Sequence, residues 1–195
     1  MRLRRVVHDL MADPMQGRDR AAPVDFAADH FALFGLPKQF WIDRSALDSA
    51  WRDLQSKVHP DRFAAGSDAE KRVALQWASR VNEAYRVLRS PLQRARYLCE
   101  IAGHDVQAES NTAMAPAFLM QQMEWREALE DARASGSHDA FDALSAQLDE
   151  ARDDMVDMLT KLLDSDTPDV ATAVSRVREW MFIERLGEEL QAAQH

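Results

Sequence analysis

The chain has 195 residues, 46% of them apolar and 29% charged, which is globular composition and excludes a disordered chain. Its one cysteine, Cys99, excludes an intramolecular disulfide and a zinc site built on cysteines, so we expect a buried thiol in a reducing compartment. Residues 43–98 carry 11 Lys and Arg against 7 Asp and Glu, whereas residues 99–195 carry 7 against 21. The acidic second part should repel nucleic acid, and no apolar run is long enough to span a membrane.

Abundant Ala, Leu, Glu, Arg and Gln, with only 6 Gly and 7 Pro, predict an all-α fold. A disordered tail is expected at 1–24, and four helices should follow it at about 28–34, 44–58, 69–89 and 91–103. Asp43 and Asp68 are the expected N-caps of the second and third of these helices. Apolar residues recur at helical spacing on both, which predicts an antiparallel hairpin with Leu47, Trp51 and Leu54 facing Trp77, Val81 and Leu88.

A polar stretch without apolar periodicity, residues 104–115, is the expected linker to a second domain at 116–191. Three helices are predicted in that domain, at about 116–134, 138–164 and 168–191, with Thr167 capping the last. Because short connections join them, we predict an antiparallel three-helix bundle.

The first helix of that bundle carries two separate apolar stripes. One runs through Phe118, Trp125 and Leu129 and suits the core, whereas Leu119, Met120 and Met123 lie on another side. A second apolar stripe containing two methionines is typical of an adaptable binding surface, with Glu124 and Glu127 as a polar rim and Phe182 beside it. The last helix also carries a second apolar stripe, through Phe182, Ile183, Leu186 and Leu190. The alternative is that the second stripes of the two helices pack against each other or against the first domain, and for Phe182 the two interpretations are evenly balanced.

The tripeptide His59-Pro60-Asp61 lies in the loop between the two hairpin helices. Proline restricts its own backbone and that of the residue before it, so the loop is stiff and presents an imidazole and a carboxylate at a constant spacing. Such a pair forms charge-assisted hydrogen bonds to a partner at low entropic cost. Taken alone the tripeptide is also an ordinary turn.

Three segments occur in the order and spacing of the J domain of DnaJ-type co-chaperones, and the chain resembles that family. They are Phe31 to Pro37, Lys57 to Phe63 and Asn82 to Leu88. Two further segments, Ser90 to Leu98 and Ala117 to Glu124, resemble more closely the HscB family, the J-proteins of iron–sulfur cluster assembly. The resemblance covers about residues 25–191, and it implies a J domain at 25–103 joined to a client-binding three-helix domain.

That resemblance implies a co-chaperone and not an enzyme. The J domain would dock on a DnaK-type ATPase, HscA in this family, where His59 and Asp61, oriented by Pro60, would stimulate ATP hydrolysis. The basic residues Arg44, Arg52 and Lys57 would steer docking to an acidic surface. The second domain would hold the scaffold protein IscU through Leu119, Met120, Met123, Glu124, Glu127 and Phe182.

Other functions remain open at the level of sequence. The alternative is a J-domain adaptor or regulatory protein with a different client. Both interpretations keep His59-Pro60-Asp61, and only the first predicts client binding through Leu119, Met120 and Met123. No histidine spacing, phosphate-binding glycine loop or catalytic triad is present, so we predict no metal, cofactor or catalytic residue. The absence of an N-terminal cysteine module, which some eukaryotic relatives carry, favours a bacterial protein of the cytoplasm.

Overall fold

The computed structural model describes residues 28–59, 63, 66–106 and 114–194. These residues form helices and no strands, which confirms the predicted all-α class. The helices in chain order are α1 (His30–Leu33), α2 (Arg44–Val58), α3 (Asp68–Arg89), α4 (Pro91–Ile101), α5 (Pro116–Ser135), α6 (His138–Leu163) and α7 (Val170–Ala193). None of the helices in this part of the chain is long and apolar enough to cross a membrane. The tail predicted at 1–24 lies outside the described residues.

Two helix starts differ from the prediction because another residue satisfies the free backbone N–H groups better. Ser67, and not Asp68, caps α3, since its hydroxyl and the Glu70 carboxylate bond reciprocally to the backbone as a capping box. The Ser67 N–H donates to that carboxylate at 2.7 Å. Asp169, and not Thr167, caps α7, where its carboxylate accepts a backbone N–H of the first turn at 3.0 Å.

Helices α2 and α3 pack as the predicted antiparallel hairpin. The Tyr85 hydroxyl donates to Asp48 at 2.8 Å, while Gln55, farther along α2, donates to Asn82, earlier on α3. Trp51 also donates to Asn82, at 3.1 Å, and its ring stacks on Tyr85 with the ring centroids 4.5 Å apart. Partners that advance on one helix and retreat on the other are the mark of antiparallel packing.

The core of this hairpin is narrower than the predicted set of six residues. Four of them are buried, namely Leu47, Trp77, Val81 and Leu88. Trp51 and Leu54 are only half-buried. Trp51 lies at the edge of the interface, where its ring stacks on Tyr85 and its indole N–H donates to Asn82.

The three long helices α5, α6 and α7 form a bundle within the second unit, joined by the short connections expected of such a fold. The fully or nearly fully buried residues of these helices include Leu129 of α5, Leu144 and Leu148 of α6, and Val177 and Ile183 of α7. A left-handed glycine, Gly136 with φ 61°, ends α5 and lets the chain reverse into α6.

The boundary between the two packed units differs from the one predicted, which had a first domain at 25–103 and a linker at 104–115. Residues 28–38 and 42–90 form one compact unit, and residues 39–41 and 91–194 form the other. Helix α4 packs on α7, because its apolar residues are buried there, among them Leu92, Ala95, Leu98 and Cys99. The start of the predicted linker is also packed, since Val106 is buried and its carbonyl accepts from Arg178 at 2.7 Å.

Residues 39–41 belong to the second unit because a carboxylate at the end of α6 binds their backbone. Asp164 accepts the N–H of Phe40 at 2.5 Å and that of Trp41 at 2.7 Å. The buried Arg94 of α4 donates to the Phe40 carbonyl at 2.6 Å, and its guanidinium carbon lies 5.1 Å from the centre of the Phe40 ring. Burial lowers the pKa of Arg94 to about 10, and the nearby Asp164 opposes that shift, so the guanidinium stays charged at neutral pH.

Gly187 in the middle of α7 provides a test of the packing between α6 and α7. A Cβ at this position would meet the guanidinium of Arg152, which binds Asp149 at 2.6 Å and Glu184 at 3.0 Å. We expect Gly187→Ala to raise the free energy of unfolding by less than helix propensity alone would, because the methyl group displaces Arg152 from its partners. In an Arg152→Ala background the same change should stabilise by about 0.5–1 kcal/mol through helix propensity. Urea unfolding of the four proteins measures this, and an equal effect in both backgrounds would contradict it.

We expect His30 to make the first unit sensitive to mild acid. Burial lowers its pKa, with the charge of Arg80 acting in the same direction and those of Glu83 and Asp29 opposing it. Below its ordinary pKa of 6.5, the unfolded chain binds a proton that the folded chain resists. We therefore expect the free energy of unfolding to fall between about pH 7.5 and about pH 5.5, and to fall less in a His30→Gln variant. Urea unfolding at both pH values tests this, and equal slopes for the two proteins would refute it.

Candidate functional site

The first candidate surface lies at the end of α2. The helix ends at Val58 because His59 precedes Pro60, and a residue before proline disfavours the α conformation. His59 accordingly has an extended backbone, with φ −59° and ψ 129°, and an exposed side chain. Pro60 and Asp61 lie outside the described residues, so the pairing of imidazole and carboxylate stays a prediction.

The three basic residues predicted to steer docking are all exposed, but α2 does not bring them together. Lys57 lies in the last turn, two residues before His59. Arg44 begins the helix, and at about 1.5 Å per residue it lies ~20 Å from Lys57 along the axis. Arg52 is on a different side of the helix from Lys57, five residues away. Of these three residues, Lys57 is therefore the one nearest to the His59 loop.

Sequence reasoning missed an exposed apolar residue in the same unit, Leu75 of α3, which is 62% exposed. Since Tyr85 lies opposite Asp48, the antiparallel register puts Leu75 level with the end of α2. The missed residue left no periodic signal, because it is a single apolar position on an otherwise polar helix face. Trp41 of the second unit, 60% exposed, was also missed, because it lies between α1 and α2, outside any helix, where no periodicity applies.

The second candidate surface is on α5, and there the two predicted stripes are separate. Phe118, Trp125 and Leu129 are buried, as the core stripe requires. The other stripe is open to solvent, with Leu119 46%, Met120 65% and Met123 65% exposed. We call these three residues the exposed α5 stripe. Glu124 and Glu127, the predicted polar rim, are exposed on the same helix.

Phe182 of α7 lies at the border of the core and not in an open patch. It is half-buried, and its ring packs edge-on against Phe118 with the centroids 6.0 Å apart. The guanidinium carbon of Arg126 lies 5.3 Å from the centre of the Phe182 ring, and a guanidinium nitrogen of Arg126 lies 4.0 Å from a carboxylate oxygen of Glu189. Arg126 is thus a cation beside the exposed stripe that sequence reasoning did not identify.

Cys99 is buried in the second unit, as predicted, and burial raises the pKa of its thiol to about 11. A thiol that holds its proton at neutral pH is a poor nucleophile and a poor metal ligand. Within the described ranges, no three His, Cys, Asp or Glu side chains are grouped as metal ligands would be. The predicted residues that the structure describes on both candidate surfaces are exposed, with the exception of the half-buried Phe182.

Residues 114–191 match the family model of the HSCB C-terminal oligomerisation domain. A co-chaperone protein HscB homolog of Bordetella avium is 60% identical over 170 residues, which are 86% of this chain and 98% of that protein. A homolog of the same name in Burkholderia vietnamiensis is 55% identical over 169 residues, 87% of this chain and 95% of the relative. This chain belongs to the HscB co-chaperone family.

Solved HscB structures share the fold as well. Chaperone HscB from Vibrio cholerae superposes with a TM-score of 0.71 at 34% identity, covering 85% of this chain and 96% of that one. Human co-chaperone protein HscB gives a TM-score of 0.80 over 93% of this chain and 94% of the human one, and at 24% identity it shows the fold alone. The protein is thus an HscB-type J-domain co-chaperone of iron–sulfur cluster assembly, with α2 and α3 as the J-domain hairpin.

Proposed function

We propose that this HscB-family protein docks on the ATPase domain of a DnaK-type chaperone, HscA in this family, and brings the iron–sulfur scaffold protein IscU to it. The J domain binds the chaperone through His59, Pro60 and Asp61, and Lys57 assists from the adjacent helix turn. Arg52 and Arg44 lie apart from Lys57 on α2 and contribute to the attraction of an acidic partner surface. The client is bound on the other unit, at the exposed α5 stripe.

The observation that carries this proposal is the exposed α5 stripe itself. Three large apolar side chains side by side in water are usually retained for binding, because they add nothing to the core and favour aggregation. Glu124 and Glu127 beside them provide a rim suited to basic residues of the client. Phe182, supported by Phe118, forms the inner edge of the same surface.

The chain performs this role as a binding protein, without a reaction of its own. ATP hydrolysis belongs to the chaperone, so the J domain needs only to favour the hydrolysing conformation of its partner. We place the protein in the cytoplasm of a bacterium, where such a chaperone and scaffold would meet it. Neither nucleic acid nor a membrane is among its partners in this proposal.

Affinity capture tests the proposal directly. The tagged chain is incubated with cell lysate, and we expect a DnaK-type ATPase and a cluster scaffold to be retained together. Steady-state ATP hydrolysis by the purified chaperone should then rise on adding this chain, and rise further with the scaffold present. Capture of the ATPase with a different protein would support the adaptor alternative, and no stimulation of ATP hydrolysis would refute the proposal.

A further inference from the structure

A cavity of about 400 Å³ opens between α5 and α6 in the second unit. Four buried apolar residues line its interior: Phe118, Trp125, Met155 and Ile183. The small side chain of Ala151 leaves room on the α6 side. The cavity is distinct from the exposed α5 stripe, none of whose residues lines it.

Two carboxylates stand at this cavity without a cation. Glu150 and Asp154, one turn apart on α6, are both exposed and line the cavity, and neither forms a salt bridge within the part of the chain that the structure describes. The arginine between them, Arg152, binds Asp149 and Glu184 instead. An apolar interior with two uncompensated negative charges at its edge suits a ligand that is apolar along its length and cationic at its end.

The cavity borders the surface already proposed for the client. Gln121 lines the cavity, and its side-chain amide donates to the Glu124 carboxylate at 3.2 Å. Glu124 in turn lies on the solvent side of α5 with Met120 and Met123. A protein that covers the exposed α5 stripe therefore reaches the cavity across a single hydrogen-bonded pair of residues.

We propose that the cavity is a second anchoring point for the client, and that it accepts a Lys or Arg side chain of the scaffold protein. The aliphatic part of that side chain packs on Trp125 and its apolar neighbours, while its cation lies between Glu150 and Asp154. This inference rests on the proposed function. To the proposed function it adds the type of client residue that is bound, Lys or Arg, and a second binding site on α6, separate from the exposed α5 stripe.

The decisive variant is the isosteric pair Glu150→Gln and Asp154→Asn. Asp153→Asn with Asp157→Asn is the matched control, because these two exposed α6 carboxylates have the same spacing and do not line the cavity. Calorimetric titration with the purified scaffold protein should show about tenfold weaker binding for the cavity pair, with a smaller dependence on salt. The control pair should change the affinity by less than about twofold.

A second variant, Ala151→Leu, fills the cavity without changing charge, and it should also weaken scaffold binding while leaving the helical circular dichroism unchanged.

Equal affinities for the Glu150→Gln, Asp154→Asn variant and the Asp153→Asn, Asp157→Asn control would overturn the inference. If only variants of the exposed α5 stripe lose affinity, the proposed function stands and the second anchor is wrong. If the wild-type chain binds no scaffold, the proposed function itself fails. Sedimentation equilibrium tests whether a second copy of this chain fills the cavity instead. A wild-type dimer that becomes a monomer in the Glu150→Gln, Asp154→Asn variant would assign the cavity to that copy and overturn the inference.

Discussion

A His59→Gln variant is expected to lose its stimulation of the chaperone's ATP hydrolysis while keeping its fold. The imidazole is exposed beyond the end of α2 and lies outside the hairpin core, so we expect its replacement to weaken binding to the partner at little cost in stability. Charge-assisted hydrogen bonds at such a site are worth about 1.5–3 kcal/mol each, and a glutamine amide does not reproduce the position of both imidazole nitrogens. Steady-state ATPase rates with saturating co-chaperone measure the effect.

The matched control for this variant is His104→Gln, which changes another exposed histidine, in the second unit. It should stimulate the ATPase as the wild-type chain does. Circular dichroism and thermal melting of both variants should coincide with those of the wild type. A folded His59→Gln protein with full stimulation would show that the loop acts without its imidazole.

The second large effect is expected from replacing Leu119, Met120 and Met123 together with alanine. Burying each such side chain in an interface contributes about 1.5–3 kcal/mol, so the scaffold protein should bind at least ~100-fold more weakly. The melting temperature should change little, because the three side chains are 46–65% exposed and the core stripe through Phe118, Trp125 and Leu129 is intact. Calorimetric titration and thermal melts of the same preparation measure both quantities.

Two further variants separate binding from stability. Leu75→Ala removes an exposed apolar side chain from the other unit and should leave scaffold affinity unchanged. Phe118→Ala removes a buried ring that also supports Phe182, and it should cost about 3–5 kcal/mol of stability. Wild-type affinity in the triple variant would reject the site. Lost affinity together with a lowered melting temperature would mean that the exposed α5 stripe is part of the core.

The elements that the sequence predicted well are those determined by neighbours along the chain. Helix α2 has the predicted bounds, because Asp43 caps its start and Pro60 stops it after Val58. The two stripes of α5 are separate because helical geometry alone puts Met123 and Trp125 on different sides. The two wrong N-cap predictions are also local. Asp68 was predicted in place of Ser67 and Thr167 in place of Asp169, and the two candidates lie within one turn in each case.

The candidate surfaces were predictable to the extent that they depend on one helix or one loop. Exposure of His59, Lys57 and the exposed α5 stripe follows from their places in single elements. The half-burial of Phe182 does not, because it depends on Phe118 and Arg126 of another helix. The α5–α6 cavity left no sequence signal either, since its lining comes from three helices.

By itself the sequence determined the helices, their amphipathic faces and the loop that carries His59, because capping, proline geometry and 3.6-residue periodicity act over a few residues. Tertiary structure alone decided which elements share a core. Helix α4 joined the second unit because its apolar face is buried against α7, and residues 39–41 joined it because Asp164, 124 residues after Phe40, binds their backbone. Contacts over such separations depend on how whole helix faces pack together, and a local sequence pattern does not predict that packing.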